Sequence, residues 1–226
     1  MEYRISRFIG EERFLILKKI LNLAIPSMIE MLLTTLVGIA DTIMIGKYLE
    51  AAGISAMSLA NQIIFPIIFI FSAFNAGTTA IVARHIGAKE YDEANEGAGQ
   101  SLILNTLLGI VLVIFMVIFH TKFIKIFPAK DSVINLGIDY LRIVLFSQLF
   151  MLITFSISSA LRGAGDTKTP MYVNGAVNLL NILGNWLLIY GIWIFPRMGI
   201  AGAALSTTLS RAIGAFFLLL ITEDRD

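Results

Sequence analysis

Residues 21–46 read LNLAIPSMIEMLLTTLVGIADTIMIG, an apolar stretch long enough to cross a bilayer as helix, yet it carries Glu30 and Asp41. An ionised side chain at the bilayer centre costs about 2.5–3.5 kcal/mol, so such residues face a bundle interior or a water-filled cavity, often where ions or protons are handled. The surrounding composition agrees with a membrane setting. Hydrophobic residues make up 57% of the 226, charged residues only 15%, and the mean hydropathy is +0.83, far above the soluble average. Uncharged runs over 51–83, 97–121, 143–161 and 169–196 add four spans, and a last one near 199–222 is interrupted only by Arg211. The sequence therefore predicts an all-α bundle of six spans, at 20–46, 52–83, 97–121, 133–161, 169–195 and 199–222. No alternation of the kind a membrane barrel requires is present.

The segment 1–19 is charged and reads as an amphipathic cytoplasmic lead-in rather than a cleavable leader, and 223–226 reads as a cytoplasmic tail. Lys and Arg set the orientation. With the amino terminus inside, Arg4, Arg7, Arg13, Lys18, Lys19, Arg84, Lys89, Arg162, Lys168 and Arg225 lie inside, against Lys47, Lys122, Lys125, Lys130 and Arg197 outside. Both termini are expected in the cytoplasm. The absence of cysteine excludes disulfides and thiolate chemistry, and a net charge of +1 excludes a nucleic-acid partner. His85 and His120 are expected at opposite membrane faces, and GAGDT at 163–167 lacks the Lys-Ser/Thr pair of a phosphate loop and reads as a tight turn; nothing points to an enzyme.

Within the spans, Asn174, Asn178, Asn181 and Asn185 fall on one helical face. Such amides either glue helices together or line a polar site. Gly202, Ser206, Ser210 and Gly214 recur every four residues and predict a packing seam. Glu30 and Asp41 are eleven residues apart, about 16 Å along one face, too far to share a proton. Arg211 stands at a depth resembling that of Glu30, which predicts a structural Glu30–Arg211 ion pair, while Asp41 is left with no basic partner at its own depth. A carboxyl in that position is neutralised by a proton or by a bound cation. Pro26 and Pro66 lie inside spans, where each removes a backbone hydrogen bond and is expected to bend its helix. Asn178, Asn61, Gln62 and Tyr190 are further candidates for lining a cavity.

Several segments together resemble the multidrug and toxic compound extrusion (MATE) family of secondary transporters. They are the Ile25-Pro26 pair, IADTIMIGKYL at 39–49, ARHIGAKEYDEA at 83–94, YLRI at 140–143, SSALRGAGDTKTPM at 158–171, NILGNWLLIYG at 181–191 and MGIAGAALSTTLSR at 198–211. The resemblance implies the amino-terminal one of two six-helix lobes, with a second lobe or a second copy as partner. It also implies exchange of organic cations, drugs or other amphipathic compounds for protons or sodium ions. No cofactor is implied beyond the coupling ion. Asp41 falls on the family's coupling aspartate, and Asn181, Asn185 and Thr207 on its partners, so that a sodium ion, if used, would sit among these four. Asn185 departs from the aspartate many members carry there, which leaves Asp41 as the only titrating member. Two other readings stand beside this one: a non-transporting lobe or pairing subunit, and a flippase for lipid-linked saccharides, for which only Arg142 and Arg211 are available inside spans as phosphate-binding charges.

Overall fold

The computed structural model describes residues 11–223, all of whose regular elements are helical. We name them α1 (Glu11–Ala88), α2 (Tyr91–Ile124), α3 (Asp131–Gly163), α4 (Lys168–Tyr190) and α5 (Ile200–Glu223). At 1.5 Å per residue the 78 residues of α1 would make a rod of about 117 Å, roughly four times the hydrocarbon thickness. The chain avoids this at Glu50, whose φ of 51° and ψ of −145° break the helix into two limbs, α1a (11–49) and α1b (51–88). Residues 11–19, expected as a separate lead-in, instead run straight into the first apolar segment as one helix; residues 1–10 and the tail 224–226 lie outside the described residues.

By length and composition, α1, α2, α3 and α5 are apolar and long enough to cross a membrane. α4 is outside this group, contrary to the expectation from its uncharged run. Its helix stops at Tyr190 instead of 195, because Gly191 turns left-handed with φ 67°, and four asparagines lower its hydropathy. Many large apolar side chains point outward, Phe69 at 78% exposure among them, as a lipid-facing surface requires. The chain is a multi-pass membrane protein.

α3 is the hub of the fold. Leu141, Val144, Leu145 and Leu152 on α3 pack with Ile45, Ala56, Ala60 and Ile64 of α1 and with Ala203 and Ala204 of α5. The small-residue stripe of α5 is a seam against α4. Ser206 Oγ donates to the Asn181 carbonyl at 2.9 Å, and Gly202 lies against the Leu188 carbonyl. A Cβ at Gly202 would stand 2.6 Å from that backbone oxygen, which cannot rotate away. Gly202→Ala is therefore expected to cost about 1–3 kcal/mol, the usual range for overpacking, and to lower the thermal midpoint of the purified protein. An unchanged midpoint would mean that α5 can slide on α4.

The turn into α4 is built by Asp166, whose Oδ1 accepts from the backbone N–H groups of Lys168 and Thr169 at 3.1 and 3.0 Å. Gly165 supplies the positive φ of 90° that this Gly-rich turn needs. Pro26 and Pro66 sit within the limbs of α1, and the backbone stays helical past both, so that Glu50 is the single non-helical position in α1.

Candidate functional site: a carboxylate held by α4 and α5

α1a and α4 run parallel and in a fixed register. Asn174 meets Glu30, Asn178 meets Thr34 and Asn185 meets Asp41, each pair separated by 144 positions, and Tyr190 reaches the Met44 carbonyl at a separation of 146. Both the acids of α1a and the amides of α4 recur at helical spacing, so two parallel helices in one register bring every acid to an amide. The four-asparagine stripe is thus the face that α4 presents to α1a and α5.

The outer of the two clusters holds Asp41. Asn185, fully buried, donates Nδ2 to Asp41 Oδ1 at 2.5 Å. Asn181 satisfies both ends of its amide when its nitrogen faces the acid. In that orientation Nδ2 donates to the same Oδ1 at 3.1 Å, and Oδ1 accepts from Thr207 Oγ1 at 3.1 Å and from the Thr207 backbone N–H at 3.2 Å. The single Thr207 hydroxyl hydrogen is shared between Asn181 Oδ1 and the Ala203 carbonyl, 3.0 Å away. Asn185 Oδ1 is buried without a partner among the described residues. The structure therefore brings Asp41, Asn181, Asn185 and Thr207 together, from three helices.

Asp41 is not isolated from positive charge. Arg211 interacts electrostatically with it, the buried Tyr140 of α3 stands close by, and Arg211 Nη1 donates to Ser147 Oγ at 2.9 Å. Arg211 lies four residues after Thr207, on the same face of α5, and that spacing was the available sequence signal for placing it in this cluster. No signal nominated Tyr140 or Ser147, which sit on α3 and reach the site only through packing.

The inner cluster corrects the expected Glu30–Arg211 pair. Glu30 is 8% exposed and is held by Arg162, whose Nη2 lies 2.8 Å from both carboxylate oxygens, with Asn174 Nδ2 donating to Oε1 at 2.7 Å. Arg162 comes from the last turn of α3, at the level of the Gly-rich turn. Matching depth along a span could not find it, because its long side chain reaches from the end of α3 to α1a while Arg211 is drawn to Ser147 and Asp41.

The other lining candidates divide. Asn178 is half-buried and touches Thr34 Oγ1 at 3.5 Å, the limit of a hydrogen bond, and Tyr190 packs edge-on against Tyr48 in the core. Asn61 is half-buried and Gln62 exposed on α1b, with no hydrogen bond joining either to the Asp41 cluster. His85 and His120 lie near the far ends of α1b and α2, bonded to Glu90 and to the Val117 carbonyl.

Comparison with known proteins gives this geometry a family. The MatE family model matches residues 26–187. A probable multidrug resistance protein NorM of Thermotoga maritima is 35% identical over 210 residues, which is 92% of this chain and 45% of that protein. A solved outward-facing conformation of a multidrug resistance MATE family transporter superposes with a TM-score of 0.84 at 30% identity, covering 92% of this chain and 46% of the other. A structure described as MATE in the bent conformation superposes at 0.81, also at 30% identity, over 89% of this chain and 44% of the other. The chain spans about half the length of the relatives it matches, an extent equal to a single lobe. It belongs to the MatE family of secondary transporters.

Proposed function

We propose that this chain is one lobe of an ion-coupled antiporter that exports organic cations, drugs or other amphipathic compounds, with Asp41 as the coupling carboxylate. The observation that carries this reading is the convergence of Asn185 and Asn181, the latter held by Thr207, on that one acid inside a membrane bundle. In this reading α1a, α1b and α2–α5 are six spans, both termini are cytoplasmic, and the parallel register of α1a and α4 agrees with spans one and five crossing in the same direction. A second six-helix lobe, or a second copy of this chain, completes the cleft.

The coupling ion in this proposal is a proton. Two amide N–H groups address Asp41 Oδ1, an arrangement suited to an ionised carboxylate, whereas a sodium ion among Asp41, Asn181, Asn185 and Thr207 would need oxygens turned inward in their place. When Asp41 takes a proton it loses its charge, and both charge-assisted bonds to α4 weaken. α1a is then free to bend near Pro26, which lacks the N–H that would stiffen the preceding turn, with Pro66 as a second soft point on α1b. The neighbour solved in a bent conformation supports this motion. The driving force suffices: one charge moving across 100 mV supplies about 2.3 kcal/mol.

The test uses proteoliposomes holding the assembled carrier, in which an imposed pH gradient, without sodium, is expected to drive uptake of a fluorescent organic cation. Movement under a sodium gradient alone would replace the proton by sodium, and movement under neither would favour the second reading, a non-transporting lobe that serves as a pairing subunit.

A further inference from the structure

A second polar site lies on the other flank of the bundle, between α1b and α2, and shares no residue with the Asp41 cluster. Two cavities of about 400 and 430 Å³ open there. Both are lined by Ile81, Ser101 and Leu104, so they form one continuous groove of the size that small-molecule sites have.

The ends of the groove differ in chemistry. At the end nearest the α1b–α2 turn stand His85, Glu93, Glu96 and Gln100. His85 is occupied by Glu90, and Gln100 donates to one oxygen of Glu96 at 2.8 Å. Among the described residues no Lys or Arg pairs with Glu93 or Glu96. This mouth is acidic, exposed and without a paired cation. The middle is apolar, with Phe74, Ile81 and Leu104 all partly open to it.

At the inner end the groove is lined by Asn105, a residue only 2% exposed. Its Nδ2 contacts Asn75 Oδ1 and Ser156 Oγ, both at the long distance of 3.3 Å, and its Oδ1 has no partner among the described residues. Asn75, 6% exposed, leaves its own Nδ2 unpaired in the same cluster. A buried amide oxygen left unmet costs about 1–3 kcal/mol, so a group able to donate to it is favoured there. From Glu96 to Asn105 is nine residues of α2, or about 14 Å.

We propose that this groove binds an amphipathic amine: its ammonium at Glu93 and Glu96, its apolar body along Phe74, Ile81 and Leu104, and an N–H or O–H at its far end donating to Asn105 Oδ1. A lipid tail does not fit the unmet amide at the inner end, and an inorganic cation does not use the apolar middle. The site is distinct from the coupling cluster and does not depend on the transport reading, since its test is binding alone.

Gly77 provides the cleanest probe. It lines the inner cavity, and a Cβ built on it meets nothing within 4 Å, so the first atom of a larger side chain finds open space at the groove wall; an unchanged thermal midpoint of Gly77→Leu checks that the fold is kept. The experiment titrates the full chain in lipid nanodiscs with mono-dansyl-octamethylenediamine, whose ammonium and sulfonamide N–H are separated by an apolar spacer, and reads the blue shift and intensity of the dansyl emission. Saturable binding is expected. Gly77→Leu, Asn105→Leu and the double variant Glu93→Gln/Glu96→Gln should each weaken it at least about tenfold, the scale of one lost charge-assisted or buried hydrogen bond. If Asn105→Leu fails to fold, the Gly77 and glutamate variants decide alone. Emission that does not saturate would assign the dye to the bilayer, and saturable emission that is the same in all groove variants would assign it to another site on the protein and leave the amide cluster to an internal water. Either result overturns the proposal.

Discussion

Asp41→Asn in the assembled carrier is expected to reduce gradient-driven efflux to the level of protein-free liposomes while leaving the protein folded. The amide keeps the shape of the side chain, and its oxygen still accepts from Asn185 Nδ2, so the contact between α1a and α4 persists in a neutral form. What disappears is the only group in the cluster that can take up and release a proton, since Asn181, Asn185 and Thr207 do not titrate near neutral pH. Substrate binding measured at equilibrium should survive, because an uncharged Asp41 side chain is one of the states through which the cycle passes. The decisive comparison is therefore between binding, retained, and coupled transport, lost. A variant that still transports against the gradient at the wild-type rate would remove Asp41 from the mechanism. Thr207→Val is the milder companion: it takes the hydroxyl donor from Asn181 Oδ1 while leaving the backbone N–H in place and the acid untouched, and should slow transport without abolishing it.

The second large effect is on stability and concerns the inner end of the same helix. Arg162→Met removes the guanidinium that binds both oxygens of Glu30, leaving a buried carboxylate with only Asn174 to satisfy it. Breaking a buried pair from one side costs about 3–5 kcal/mol, and partial exposure of the Arg162 side chain, at 33%, moves the expectation to about 2–3 kcal/mol. The thermal midpoint of Arg162→Met should fall well below that of Glu30→Gln, in which the neutral partner still accepts hydrogen bonds from both Arg162 and Asn174. The double variant Arg162→Met/Glu30→Gln should recover part of the loss, because the uncompensated charge is gone. Arg211→Met, by contrast, should leave the Glu30 clamp intact; a collapse equal to that of Arg162→Met would restore the pairing that depth alone suggested.

Glu30, Arg162 and Arg211 also mark the limit of what spacing can decide. The asparagine stripe of α4 and the acid spacing of α1a were legible because both are periodicities within one helix, where backbone geometry fixes which side chains share a face. Partners on different helices are another matter. Two arginines were available to Glu30, and the choice turned on how far α3 extends past the apolar region and on the crossing of α5 over α3, neither of which leaves a periodic trace. Tyr140 and Ser147 were invisible for the same reason. The end of α4 at Tyr190 was written in Gly191, yet the uncharged residues that follow it read as a continued span because Trp193, Ile194 and Phe195 are apolar; they form a turn instead, with Trp193 and Ile194 exposed.

By itself the sequence determined a helical membrane bundle, its family, and the face of each helix that carries polar groups, since these follow from composition, motif order and a period of 3.6 residues. Only the tertiary structure decided that α1 breaks at Glu50, that α1a and α4 lie parallel in a register of 144 residues, that Arg162 rather than Arg211 neutralises Glu30, and that Arg211 acts on Asp41. The physical reason is one of range. Local backbone preferences are set within a few residues, whereas the neutralisation of a buried charge depends on whichever cation the packing of distant helices brings within reach.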